Sequence, residues 1–415
     1  MEKVYDICCG IDVHKKLTVA CLRNGRKQEI RQTGATTREL LELADWLKSK
    51  GCQMVAMEST GSYWKPLYNI LETSELAVMV VNAKHMRAVP GRKTDATDAE
   101  WIADLTQHGL LRASYIPDKA QRELRELVRY RKSLVDDRTR ELNRLQKMLE
   151  GANIKLSGTV RDINGMSARN ILNHIVAGKK LDEAQFDEMY RQGQIAHNLK
   201  ASKSQILDDL NGVLSPLQRR VMKELLSHLD ELNEHIRNLN DEIDRFMKPE
   251  EYEAAKKIQD VPGIAQTSAQ AVIAVIGTDM SRFPTEKHIS SWAGLCPGNN
   301  ESAGKRRSGK TRKGNSLLRS TLLVCAHSAV KVKSSYFYAQ FARVCAHRGS
   351  KRAYLAVAHS MLIAIYHILK DNVPFHDLGA DYYNQFNKES KIRAYLKKLH
   401  ALGWTEPTAT AVAPV

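Results

Sequence analysis

Short apolar runs alternate with amphipathic stretches through the first hundred residues. VYDICCGID (4–12) is mostly apolar, the length of a buried strand, and closes at Asp12. LTVACLR (17–23), Asn24-Gly25 and RKQEIRQT (26–33) predict a β-hairpin with a type I′ turn. Thr36 and Glu39 have the spacing of a capping box for the helix TTRELLELADWLKSK (36–50), which Gly51 stops. QMVAMEST (53–60) predicts a strand reaching its end at Glu58. A helix over WKPLYNILETSE (64–75), a strand over AVMVVNA (77–83) and a helix over TDATDAEWIADLTQ (94–107) follow. The order β-β-β-α-β-α-β-α predicts an α/β domain, a mixed sheet with helices on its faces.

The period then changes. From Asp118 to Glu150 the pattern is helical and charged, with Val135, Leu142, Leu145 and Leu149 on one stripe. Apolar residues at 225, 229, 232, 236, 239, 243 and 246 alternate four and three apart, the spacing of a coiled-coil seam. Two such helices suit pairing with each other or with a second subunit. Between them, 151–204 reads as a smaller helical insert rich in Gly, Asn and Lys. IQDVPGIAQTSAQAVIAVIG (258–277) has the layout of a helix-hairpin-helix around Gly263, whose backbone N–H groups suit a DNA phosphate. An αα-hairpin without DNA contact explains those residues equally well. RDINGMSARNILNHIVAG (161–178) repeats the spacing faintly. The apolar run YLAVAHSMLIAIYHIL (354–369) is too short for a membrane span and reads as a buried helix, and TEPTATAVAPV (405–415) reads as a disordered tail. The domains expected are 1–116, 117–257 with its insert at 151–204, and a mainly α domain at 258–400, followed by the tail at 401–415.

Charge sharpens this outline. The chain carries a formal +16, and from Ser302 to Lys370 it has no Asp or Glu and 14 Lys and Arg. Six of these lie between Lys305 and Lys313, just after Ser302. Excess charge concentrated in this way points to a polyanion, nucleic acid first, rather than to a merely soluble surface. The seven cysteines form no C-x-x-C pair, which argues against a zinc site and for reduced thiols filling small apolar spaces. The first residues have no signal-peptide layout, so a cytoplasmic protein is expected.

Four carboxylates stand out by position. Asp12 and Glu58 close strands, and Asp95 and Asp98 lie three apart, a spacing that a helix would present on one face. Taken singly, each has a plain structural explanation: a turn cap for Asp12, surface for Glu58, an N-cap for Asp95 and dipole support for Asp98. Converging together, they would repel unless cations share the site, and Mg²⁺ prefers such oxygen ligands. His14 and His85 read as ordinary neighbours.

At these residues the chain resembles the DEDD transposases of bacterial insertion sequences, a group that includes bridge-RNA-guided recombinases and site-specific DNA invertases. The matching pieces are GIDVHK (10–15), AMESTGSYWKPL (56–67), KTDATDAEWIADL (93–105), ELNRLQKML (141–149), VPGIAQTSA (261–269) and WAGLCPGNNESAGK through KGNSLLR (292–319), in the family's order. The resemblance implies an RNase H-like domain in which Asp12, Glu58, Asp95 and Asp98 bind Mg²⁺, as one ion or two. It also implies a helical coiled-coil middle and a C-terminal transposase domain whose nucleophile is Ser302. Donor and target DNA, a noncoding bridge RNA, and a homodimer that joins into a tetramer on DNA are the partners implied; no membrane is. The active site implied is composite, the acidic set of one protomer meeting the serine of another. The family's Ser-Gly stands here as Ser302-Ala303, and its Pro-Gly-Ile-Gly as Pro262-Gly263-Ile264-Ala265.

A serine hydroxyl is a poor nucleophile until its proton is removed and the attacked phosphate is neutralised. Lys305, Arg306, Arg307, Lys310, Arg312, Lys313 and Arg319 are the candidates to hold that phosphate and its backbone, with Gly263 at the second contact. The expected function is a transposase that cuts and exchanges DNA strands through a phosphoserine link, acting in the bacterial cytoplasm at the nucleoid. The alternatives are a metal-dependent nuclease of the junction-resolvase type, which needs no Ser302, and a non-catalytic nucleic-acid binder.

Overall fold

The computed structural model describes residues 3–59, 61–82, 86, 97–179, 181–196, 199, 201–298, 300–302, 305–311, 313–385 and 388–405. It divides into two compact units, Met1–Asp118 and Lys119–Val415. The first holds strands β1 (Ile7–Val13), β2 (Leu17–Asn24), β3 (Lys27–Gly34), β4 (Met54–Glu58) and β5 (Val78–Val81), with helices α1 (Thr37–Ser49), α2 (Trp64–Thr73) and α3 (Asp98–Gln107). The sheet order is β3-β2-β1-β4-β5, antiparallel on the β2 side of β1 and parallel on the β4 side. This is the mixed α/β sheet the alternating pattern predicts. Thr36 caps α1 in a capping box with Glu39, as its spacing requires.

The hairpin turn is not the one expected. Asn24 pairs with Lys27, so the loop is Gly25-Arg26, and only Gly25 has positive φ, at 64°. That is the pattern of a II′ turn, because the ladder takes Asn24 as its last rung.

Alternation sorts the sheet's side chains onto two faces. Ile11 and Met57, paired across β1 and β4, enter the core with Leu43, Leu47, Leu67 and Leu71 of α1 and α2. The opposite face is covered by α3, where Ala56 packs with Ile102 and Leu105. The approach of α3 is closest at Gly10. A Cβ there would stand 2.2 Å from the Ala103 nitrogen and 2.4 Å from the Ala99 oxygen. Gly10 is opposite Cys21, which packs with Ala99 and Ala103, so only small residues line this crossing. Burial pushes the Cys8 thiol up to about 12 and Cys21 to about 11, so both stay protonated and act as packing groups. All seven cysteines are free thiols.

Among the described residues the second unit is helical, apart from one small hairpin. Helices α4 (Lys119–Gly151) and α9 (Pro216–Phe246) pack along one another. Leu124 and Val128 cluster with Ile243 and Met247, Leu134 with Leu232 and Ile236, and Leu145 and Leu149 with Met222, Leu226 and Leu229, which makes the pair antiparallel within one chain. The buried line on α9 departs from the predicted seam at both ends. Leu226 is buried where Leu225 is half-exposed, and Met247 is buried while Phe246 is 38% exposed. The insert forms α5 (Leu156–Thr159), α6 (Met166–Val176), α7 (Glu183–Arg191) and α8 (Lys203–Asp209), packed on the far end of this pair.

Then follow α10 (Pro249–Ile258), α11 (Gln266–Ile276), α12 (Glu286–Trp292), β6 (Asn300–Ser302), β7 (Lys305–Ser308), α13 (Ser316–Ala329), α14 (Tyr336–Arg348), α15 (Ser350–Asp371), α16 (Tyr382–Gln385) and α17 (Lys388–Ala401). The apolar run at 354–369 lies within α15, whose 22 residues are long and apolar enough to cross a membrane. Length therefore does not exclude a span as the run alone suggested. Burial identifies it: Val357, Met361, Leu362 and Ile365 are inside the helical core.

A buried cation ties these parts together. Arg131 is 5% exposed, and its guanidinium donates to Asn240 Oδ1 at 3.1 Å, to Gln270 Oε1 and to the Thr267 carbonyl at 2.7 Å. Gln270 in turn donates to Asp244. Burial lowers Arg131 to about 10, opposed by the Asp244 charge, so it remains a cation at neutral pH. One side chain thus joins α4, α9 and α11.

Two substitutions test these contacts. Gly10→Ala lifts α3 from β1 and lowers stability by about 1–3 kcal/mol, read as a lower midpoint in thermal unfolding. Arg131→Ala strands Asp244 and Gln270 and costs about 3–5 kcal/mol in denaturant titration. Arg131→Lys recovers little of that loss, because an ammonium does not reproduce the planar fork.

Candidate active site

Asp12 and Glu58 stand side by side. Each is one residue beyond the Ile11–Met57 pair on adjacent parallel strands, so both lie at the same level and on the face that α3 covers. Helix α3 runs antiparallel to β1: Ala99 and Ala103 are at Gly10, while the Val4 N–H donates to the Gln107 carbonyl at 2.9 Å. Its first residue, Asp98, therefore belongs to the strand ends that carry Asp12 and Glu58. Three carboxylates from three elements share one end of one sheet face. The Asp12 side chain is only 18% exposed, with His14 Nε2 2.9 Å from its Oδ2. His14, which the sequence offers as an ordinary neighbour, is thus a direct partner of Asp12.

The start of α3 corrects one expectation. Thr97, extended at φ −64° and ψ 157°, is the N-cap. Its hydroxyl accepts the Glu100 N–H at 3.3 Å, and Glu100 Oε2 accepts the Thr97 N–H at 2.7 Å. Capping is complete without Asp95, so Asp95 is not the cap that the plain structural explanation assigns. The helix begins at Asp98. Asp95 itself and His85 lie outside the described residues. The signal was present in the sequence as Thr97-x-x-Glu100, a capping box like that of α1.

All candidate donors are carboxylate oxygens, a chemistry that fits Mg²⁺. Among the described residues no three His, Cys, Asp or Glu side chains are grouped closely enough to hold a metal. The geometry thus supplies a shared face and level rather than an assembled coordination shell.

Ser302 ends β6, where it pairs with Lys305 of β7. The side chains of Ser302, Arg306 and Arg307, and the whole of Arg312, lie outside the described residues. The base of this hairpin is firmly held. The Gly298 N–H donates to the Lys310 carbonyl at 3.0 Å, and Pro297 bridges Thr311. From the first turn of α13, Arg319 donates to the Gly294 carbonyl at 2.8 Å and to Thr311 Oγ1 at 2.9 Å. Arg319 is therefore a clamp for the hairpin, where its charge suggested a phosphate contact. Lys305, Lys310 and Lys313 are exposed.

Gly263 has a different reason to be glycine. Its φ is +87°, and a Cβ would stand 2.4 Å from the Cys325 carbonyl and 2.6 Å from the Ala329 nitrogen. Close packing on α13 accounts for it without a phosphate. The supposed echo at Gly165 is built otherwise: Gly165 has φ −71° and is itself the N-cap of α6.

Comparison with known proteins identifies the family. Residues 9–154 match the DEDD transposase model of IS110, described as a transposase, and 255–342 match the transposase IS116/IS110/IS902 family. The chain is 23% identical over 327 residues to the transposase for insertion sequence element IS1111A of Coxiella burnetii, covering 77% of this chain and 78% of that protein. It is 24% identical over 315 residues to an uncharacterized protein of insertion element IS110 from Streptomyces coelicolor, covering 68% and 72%. Over 267 residues it is 24% identical to an uncharacterized protein of insertion element IS116 from Streptomyces clavuligerus, covering 54% and 60%. With both of its matched regions in one family, the chain belongs to the IS110/IS116/IS902 transposases of insertion sequences, enzymes that cleave and recombine DNA.

Proposed function

We propose that this transposase excises and inserts its own element by Mg²⁺-dependent strand exchange through a phosphoserine link at Ser302, with a noncoding RNA choosing the sites. The observation that carries the reading is the shared sheet end of Asp12, Glu58 and Asp98, with His14 against Asp12. Asp95 completes the four-carboxylate set of an RNase H-like domain spanning 1–116. The helical pair and insert at 117–257 are its coiled-coil middle, and 258–400 is a transposase domain whose α10–α11 turn is a helix-hairpin-helix. Mg²⁺ held by these carboxylates supplies charge for the phosphate oxygens that gain charge in the transition state.

The protein's own part is nucleophile and grip. Ser302 Oγ attacks the phosphorus, its proton leaving to a base. The Oγ–P bond forms as the phosphodiester P–O bond breaks, and the departing nucleotide oxygen leaves as a hydroxyl. The phosphoserine keeps the ester for rejoining, when a strand hydroxyl attacks it and Ser302 is released. Lys305, Lys310 and Lys313 grip the backbone, with Arg306, Arg307 and Arg312 beside them, and the Arg319 clamp fixes the hairpin base. Such contacts carry no sequence information, which suits an RNA guide. The acidic set of one protomer works with the serine of another, in a dimer that becomes a tetramer across two DNAs. A transposase of this kind works in the cytoplasm, at the nucleoid.

Incubation with element-end DNA, target DNA, flank RNA and Mg²⁺ yields a protein–DNA adduct on a denaturing gel. Ser302→Ala abolishes the adduct. Asp12→Asn, Glu58→Gln and Asp98→Asn each slow it by at least about 10²-fold, the scale of one lost electrostatic contact to a transition state. EDTA stops the reaction and Mg²⁺ restores it. Cleavage that persists in Ser302→Ala but not in Asp12→Asn would leave a metal-dependent nuclease instead. In binding titrations on duplex DNA, Lys305→Ala, Lys310→Ala and Lys313→Ala each reduce the slope of log K against log salt by about 0.9.

A further inference from the structure

Helix α17 contributes nothing to the core. Among its described side chains none is buried, and Ile392, Tyr395 and Leu399 are 46, 63 and 41% exposed, followed by Leu402 at 85%. The spacing of three, four and three puts these residues on one stripe. Lys398 flanks it, Lys388 heads it, Arg393 and Lys397 lie beyond, and the helix holds a single acid, Glu389. A helix of 14 residues is marginal in water by itself. An apolar stripe edged by cations seeks an apolar surface edged by acids.

The α4–α9 pair presents such a surface. Leu217 and Val221 on α9 are 71 and 41% exposed. Beyond them a cavity of about 360 Å³ is lined by Glu141, Arg144, Val221, Glu224, His228 and Glu231. Its floor is unbalanced. Glu141 is 5% exposed, and while Oε1 meets Arg144 and lies 3.4 Å from His228 Nδ1, Oε2 has no hydrogen-bond partner among the described residues. A buried carboxylate oxygen left unpaired is costly, and an incoming ammonium or guanidinium removes that cost.

We propose that α17 of one copy docks in the α4–α9 groove of a second copy. Its apolar stripe covers Leu217 and Val221, and its cations meet Glu224, Glu231 and the open side of Glu141. Among the described residues neither surface is covered, and the occupant proposed is a second copy. Charge names it, because two chains of +16 repel unless opposite local charges meet, and groove and helix supply them. Reciprocal exchange closes the pair with two-fold symmetry and buries both stripes. This interface deepens the dimer proposed above but is independent of the phosphoserine chemistry.

Light scattering of the full chain without nucleic acid, over a range of protein and salt concentrations, tests it. The expected result is a dimer that dissociates as salt rises. Leu399→Asp and Glu231→Lys, both at exposed positions, each raise its dissociation constant at least about tenfold, and Lys398→Glu recovers the dimer in the Glu231→Lys background. Mixing Glu231→Cys with Lys398→Cys chains under a mild oxidant gives a disulfide-linked species of doubled mass that neither variant gives alone. A monomeric wild type, a dimer indifferent to these changes, or a disulfide that forms within one chain carrying both cysteine substitutions overturns the proposal. So does loss of duplex-DNA or anionic-vesicle binding by Leu399→Asp with the dimer intact.

Discussion

The crossing of α3 over β1 at Gly10 is the constraint on which the acidic site depends. Any side chain there would enter the backbone of α3 at Ala99 and Ala103, so the helix sits at the distance a hydrogen allows. Cys8 and Cys21, thiols held protonated by burial, fill the flanks without adding bulk. That close seating brings the first residue of α3 to the strand ends where Asp12 and Glu58 emerge. The helix is capped by Thr97 and Glu100, so its start is set by backbone hydrogen bonds and not by the aspartates. Small residues and the cap thereby place the carboxylates, which take no part in capping the helix.

The second unit solves a similar problem with polar groups. Arg131 sits in the apolar line between Val128 and Leu134, where a leucine would be ordinary, and holds three helices by a directional fork. Such a group is destabilising if any partner is missing, which makes the arrangement specific as well as strong. Arg319 plays the corresponding part at the base of the β6–β7 hairpin, where it fastens the flanking segments, at Gly294 and Thr311, to α13. In both places an arginine is turned inward to oxygen acceptors of the protein itself.

Much of the first unit was legible because its signals are local. Alternation, capping boxes and apolar runs are set by a few neighbouring residues, and the strands and helices fall where those signals lie. The hairpin turn differs from its expectation because Asn-Gly suits either of two registers, and the ladder decides between them. Thr97 was legible as a cap, but the aspartates beside it offer a competing one. Gly263 and Arg319 were legible only as residue types; the α13 backbone that meets Gly263 and the Gly294 carbonyl that meets Arg319 are both far off in the chain.

The sequence alone determined the mixed sheet, the helical remainder, the basic segment and the carboxylates at strand ends, because periodicity, net charge and strand termini are properties of contiguous residues. Only the tertiary structure decided that Asp12, Glu58 and Asp98 share one face, that His14 meets Asp12, and that α4 pairs with α9 of its own chain. Each of these turns on sheet register and helix packing, which join residues far apart in the chain and leave no mark on local composition.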